Sequence, residues 1–203
     1  VINGGGTVNF GQTKSLTVSG IGIWNNSGTI NFKQGTLKDV TNGITLRGGI
    51  ANVSGGSITA SGQAISVNGG ETNITGGTLT GAHGILSSSG TVNITGGSIV
   101  GSSYEAIYNN GATVNIGTRD NVVKDVPELH SSNSFSFNNV SGTWNWYDGV
   151  LYGPKSTYNF NSAPSATETG YSAVTVVDAT NGYKTYLSNK YTLKINKGTG
   201  VST

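Results

Sequence analysis

Apolar and polar positions alternate in short bursts along this chain, and the bursts recur. In residues 91 to 101, TVNITGGSIVG, the outward-type Thr91 and Asn93 alternate with Val92 and Ile94; Gly96-Gly97 breaks the run and Ile99 adds one more apolar position. The Asn of this unit returns at Asn9, Asn31, Asn52, Asn73, Asn93, Asn115 and Asn145, with gaps of 22, 21, 21, 20, 22 and 30 residues. A period in this range marks stacked repeats. Aligned on that Asn, the sequence forms columns. Ile23, Ile44, Ile65, Ile85, Ile107 and Phe137 stand eight residues before it, and Leu37, Ile58, Leu79, Ile99 and Leu151 six residues after. The pairs Val8/Phe10, Ile30/Phe32, Ala51/Val53, Thr72/Ile74, Val92/Ile94, Val114/Ile116 and Trp144/Trp146 flank it. Gly6, Gly28, Gly49, Gly70, Gly90 and Gly142 lie three residues before it, with Ala112 in the sixth copy beside Gly111.

Each repeat thus carries three short apolar segments of period two, rich in β-branched residues and separated by glycine corners, with no helical periodicity. Such a unit cannot bury its own apolar residues; stacked units join the columns into one core. The pattern predicts an all-β fold, a right-handed parallel β-helix of about seven three-strand coils of ~21 residues. It assigns residues 1–161 to this solenoid, with a projecting loop at 117–134 where GTRDNVVKDVPELHSSNS lengthens the period. Residues 162–203 read as a linker and a small β cap or the start of a further module. There YSAVTVVDATNGYKTYLS alternates around Asn181-Gly182, a hairpin signal, and YTLKI at 191–195 offers another strand.

Composition narrows the function classes. The chain has 203 residues, 33 of them Gly, only 10% charged, and a net charge of +2. Its basic residues are scattered, which argues against nucleic acid as partner. No stretch is long and apolar enough for a membrane helix, so membrane insertion is not expected. The lack of Cys removes disulfides and zinc–thiolate chemistry. A first residue of Val rather than Met suggests a piece of a longer protein.

The copies TVNITGGSIVG, ETNITGGTLTG and TWNWYDGVLYG, the last followed by GYKTYL at 182–187, resemble the repeats of pectate-lyase-like, adhesin-like surface proteins of Gram-positive gut bacteria. The resemblance spans most of residues 6–190. It implies a large exported, wall-attached protein on the bacterial surface, whose partner is a host or bacterial surface glycan or glycoprotein. It names no ligand and no oligomeric state.

Three chemistries are weighed on the residues. A polysaccharide lyase or hydrolase would need clustered carboxylates. Only the 117–134 insertion supplies a cluster, with Arg119, Asp120, Asp125, Glu128 and His130; Asp120, Asp125 and Glu128 would be the ligands if Ca²⁺ bound there. The plainer reading is a solvated loop of compensating charges, with no catalytic residues and no cofactor. His83, at a corner without an acid nearby in sequence, reads as a turn histidine. Tyr147, Tyr152 and Tyr158 are candidates for a carbohydrate-binding rim, whereas Trp144 and Trp146 fall in inward columns and should plug the last coil. Finally, Thr7, Thr29, Thr91, Thr113 and Thr143 with the Asn column form an outward Thr/Asn array. It fits amide ladders, or ice binding as a second alternative, although Ile50 and Glu71 interrupt it. The leading expectation is a non-catalytic, adhesin-like rod that presents a ligand-binding surface.

Overall fold

A computed structural model describes residues 1–11, 15–17, 19–118 and 126–189. Among them every regular element is a strand, and the strands stack coil on coil as a parallel β-solenoid. The sequence columns are the structural register. On one face Ile23 pairs with Ile44, Ile44 with Ile65, Ile65 with Ile85, Ile85 with Ile107 and Ile107 with Phe137. The second face carries the T-x-N segments, with Asn9, Asn31, Asn52, Asn73, Asn93, Asn115 and Asn145 aligned. A third face carries Leu16, Leu37, Ile58, Leu79 and Ile99. From Ile23 to Leu151 the buried side chains of the three faces make one continuous core.

The corners are tight because coils stack backbone on backbone. At Gly90, φ is +84°, and a Cβ would lie 2.4 Å from the Gly70 carbonyl oxygen of the coil below. Only glycine combines that φ with that approach. The sixth coil solves the same corner differently. Gly111 takes the positive φ, and Ala112 turns its amide to Asn109 Oδ1 at 3.0 Å.

The outward Asn column is a hydrogen-bonded ladder. Each amide nitrogen donates to the carbonyl oxygen of the Asn one coil earlier, from Asn31 to Asn9 (2.8 Å) through Asn52, Asn73, Asn93 and Asn115 to Asn145 (2.8 Å). The column thus has a direction, every donor pointing toward the N-terminal end.

The insertion is shorter than its charges suggest. The sequence assigns 117–134 to one projecting loop, but Glu128–Ser131 is a strand of the sixth coil. It pairs with Ser98–Gly101 on one side and with Val150–Tyr152 on the other. Leu129 is fully buried and fills the third-face column between Ile99 and Leu151. The extra residues precede this strand, so a fixed count of six from Asn115 lands on the wrong residue.

The C-terminal end is closed on all three faces. Phe160 bridges to Phe137, Ala166–Thr167 pairs with Asn145 and Trp146, and Gly182–Asn189 runs antiparallel to Val150–Gly153. The last of these strands forms the expected hairpin with Tyr171–Asp178. Trp144 and Trp146 are fully buried beneath this cap, as their columns require. The 191–195 segment lies outside the described residues.

Candidate functional site

Alternation along Glu128–Ser131 sends Leu129 inward and Glu128 and His130 outward, 3.3 Å apart from Oε2 to Nε2. Tyr152, in register one coil later, stacks on His130 with ring centroids 4.4 Å apart and planes 8° from parallel. One coil earlier the same position is Val100, whose smaller side chain leaves space beside His130. That space is a groove of about 500 Å³, lined by Ser98, Val100, Ser102, His130, Ser131 and Ser132 on the solenoid and by Thr180 and Asn181 across from it.

The far wall is a hairpin tip set by one carboxylate. Asp178 Oδ1 accepts from the Asn181 amide (2.9 Å), the Asn181 side chain (2.9 Å) and the Thr180 amide (3.1 Å). Those bonds, led by the Asn181 amide, hold the Asp178 carboxyl below its ordinary pKa. Burial raises the Tyr152 phenol, and the negative charges of Glu128 and Asp178 and its hydrogen bond to Glu128 add to the rise. Tyr152 therefore keeps its proton across the neutral range as a donor beside an acceptor carboxylate. The groove combines the His130 ring, serine and threonine hydroxyls and the Asn181 amide; Tyr152 and Glu128 contact His130 from outside the lining.

The expected site residues divide. Glu128, His130 and Tyr152 come together, and of the three His130 lines the groove. Tyr158 does not join them: it stacks on Phe160 at 4.9 Å, and Phe160 packs on Trp144 and Trp146, so Tyr158 belongs to the end cap. Tyr147 is half-buried at the turn after Trp146, where its amide bonds Ile116 O at 2.7 Å, and it does not line the groove. Arg119, Asp120 and Asp125 lie outside the described residues. Among the described residues no three His, Asp or Glu side chains converge as a metal site.

The acid absent from the sequence around His83 is supplied by the next coil. Glu105 Oε2 lies 3.1 Å from His83 Nδ1, and Glu105 Oε1 accepts from Asn138 at 2.8 Å and Ser134 at 3.4 Å. Tyr104 stacks on the His83 ring at 4.7 Å and Tyr108 meets its edge at 5.6 Å. The reading of a corner histidine without an acid nearby holds along the chain but not across coils. The signal was present in the columns, since His83 and Glu105 each stand ten residues before the Asn of their repeat.

Comparison with known protein families, curated proteins and solved structures finds no match to this chain.

Proposed function

We propose that this chain is a non-catalytic carbohydrate-binding rod of a bacterial cell-surface, adhesin-like protein. The observation that carries the reading is the groove in which His130, backed by Tyr152 and Glu128, meets four serines and the tip at Thr180 and Asn181. A sugar ring offers apolar C–H faces and a rim of hydroxyls that both donate and accept. The groove supplies matching parts: the His130 ring backed by Tyr152, hydroxyls of both roles and the Asn181 amide, with the Glu128 carboxylate beside His130. The solenoid beneath is stiffened by a buried aliphatic core and a ladder of amides, which suits a rod that holds its binding surface away from a cell wall. The repeats' resemblance to Gram-positive surface proteins supports an extracellular, wall-attached setting as part of a longer chain. Fold alone carries no function, so the reading stands on the groove.

A glycan array tests it. The protein is expected to bind at least one surface or mucin glycan, and Tyr152→Ala and His130→Ala to weaken that binding while the far-UV spectrum and melting midpoint stay within the range of surface variants. Absence of binding to every glycan on the array would leave a spacer role instead. Incubation with the same polysaccharides, with and without Ca²⁺, is expected to release no new reducing or unsaturated ends.

A further inference from the structure

Among the described residues Tyr104 is the most exposed aromatic, at 55%. Its backbone and its ring are both held. Its amide donates to Ala82 O at 2.9 Å in the coil below, and its carbonyl accepts from Ser131 Oγ at 2.8 Å in the coil above. One face of its ring is stacked on His83. His83 in turn lies against Glu105, a buried carboxylate fixed by Asn138 and Ser134. The backbone of Tyr104 is thus tied to the coils on both sides, and its exposed ring rests on a supported histidine. Such support removes the ordering cost that a ligand would otherwise meet. Tyr104 follows Ser102 by two residues around the corner, and Ser102 and Ser131 line the groove. The groove and the Tyr104 ring therefore sit on either side of one corner, joined by residues 102–104 and 131.

We propose that Tyr104 is a second carbohydrate subsite, a platform that stacks the C–H face of a pyranose while a neighbouring sugar of the same chain occupies the groove beside His130. The inference rests on the carbohydrate reading of that groove and deepens it: the ligand is an oligosaccharide, not a single terminal sugar. His83 and Glu105 are positioning residues here. They hold the ring flat and take no part in contacting the sugar. A protein partner would also favour an exposed tyrosine, but the serine-rich polar surface beside it matches hydroxyls better than a hydrophobic interface core.

The test uses the full chain on an array that prints each glycan from monosaccharide to hexasaccharide, with deglycosylated mucin polypeptide spotted alongside. Tyr104→Ala is expected to weaken binding of the longer oligomers by about three- to tenfold, the size of one aromatic contact, and to leave the mono- and disaccharide signals unchanged. Tyr152→Ala should weaken all lengths. Tyr104→Phe keeps the ring and should bind like wild type, which separates stacking from a lost hydroxyl or a fold defect. Equal binding of long oligomers by wild type and Tyr104→Ala, with Tyr152→Ala impaired, overturns the second subsite and leaves the groove. Failure of the wild type on every glycan overturns both. Tyr104-dependent binding to the bare polypeptide overturns the carbohydrate assignment of this platform.

Discussion

At the residue scale, the most informative side chain in the core is the one that departs from its column. Val8, Ile30, Ala51, Val92, Val114 and Trp144 occupy equivalent inward positions, and Thr72 takes the same place in the fourth coil. Thr72 is fully buried and its hydroxyl has no hydrogen-bond partner among the described residues. An unmade buried bond is costly, whereas Val has nearly the same shape without the hydroxyl. Thr72→Val is therefore expected to raise unfolding free energy by about 1 kcal/mol, seen as a higher urea midpoint at unchanged m-value. The amide ladder gives the opposite case. Asn73→Ala removes the shorter of the two acceptors of Asn93, which keeps Glu71 at 3.3 Å, and strips Asn52 of its ladder donor, and should cost about 1–2 kcal/mol. Asn9→Ala at the exposed end of the ladder removes one bond and should cost less than half as much. Equal losses at the two positions would mean that the ladder adds nothing beyond the local strand. The ladder was legible in the sequence because identical side chains stacked at one position can do little else. The vacant hydroxyl was not, since Thr is at home in any strand.

At the element scale, a strand is recognised by its column and missed when the count to it changes. Glu128–Ser131 shows both sides of this. Its Leu129 and the alternation around it are ordinary for the third face, but the inserted residues upstream displaced it from the expected position and its charges made it look like loop. The C-terminal hairpin was legible because its turn signal is local. What local reading left out is that its tip forms a wall of the groove, since that depends on the antiparallel docking of Gly182–Asn189 on Val150–Gly153. The tip should respond to acid. Asp178 has a folded-state pKa lowered by the bonds it accepts, so its contribution is present above the ordinary aspartate value and lost as pH falls through the lower folded value. On acidification from about pH 4 downward, the Thr180 and Asn181 amide proton resonances should titrate together, with a midpoint below the free-aspartate value. In Asp178→Asn they should be insensitive to pH in that window. A midpoint at or above the free-aspartate value would show that the carboxylate does not organise the tip.

At the scale of the whole molecule, the outward side-chain clusters form where one coil supplies what its neighbour lacks. His130 owes its stacking partner to the next coil and the space beside it to the preceding one, and His83 finds its acid twenty-two residues away in Glu105. Separations of a full repeat are invisible to a reading that looks for motifs along the chain, and become visible once outward columns are aligned as carefully as inward ones. The same logic governs the end of the rod. Parallel coils leave an open sheet edge on each face, and here three different devices close it: the Phe137–Phe160 bridge, Ala166–Thr167, and the antiparallel hairpin. Trp144 ties the cap down by donating its indole nitrogen to the carbonyls of Ser162 and Ala163 at 3.2 and 3.1 Å, and buried Asn159 bonds Thr185 of the hairpin through its amide at 3.1 Å and its side chain at 3.2 Å. A chain ended after Asn161 keeps the first closure and loses the other two, exposing the edges at Asn145–Trp146 and Val150–Gly153 together with the tryptophans beneath. Unpaired edges beside exposed aromatics template pairing with another chain. The truncated rod should therefore melt at a lower temperature and associate with rising concentration in sedimentation velocity, while the full chain keeps a constant sedimentation coefficient over the same range. A truncated chain that stays concentration-independent and melts with the full chain would mean that the aromatic plug and the Phe137–Phe160 bridge close the solenoid by themselves, leaving the hairpin to serve the groove alone.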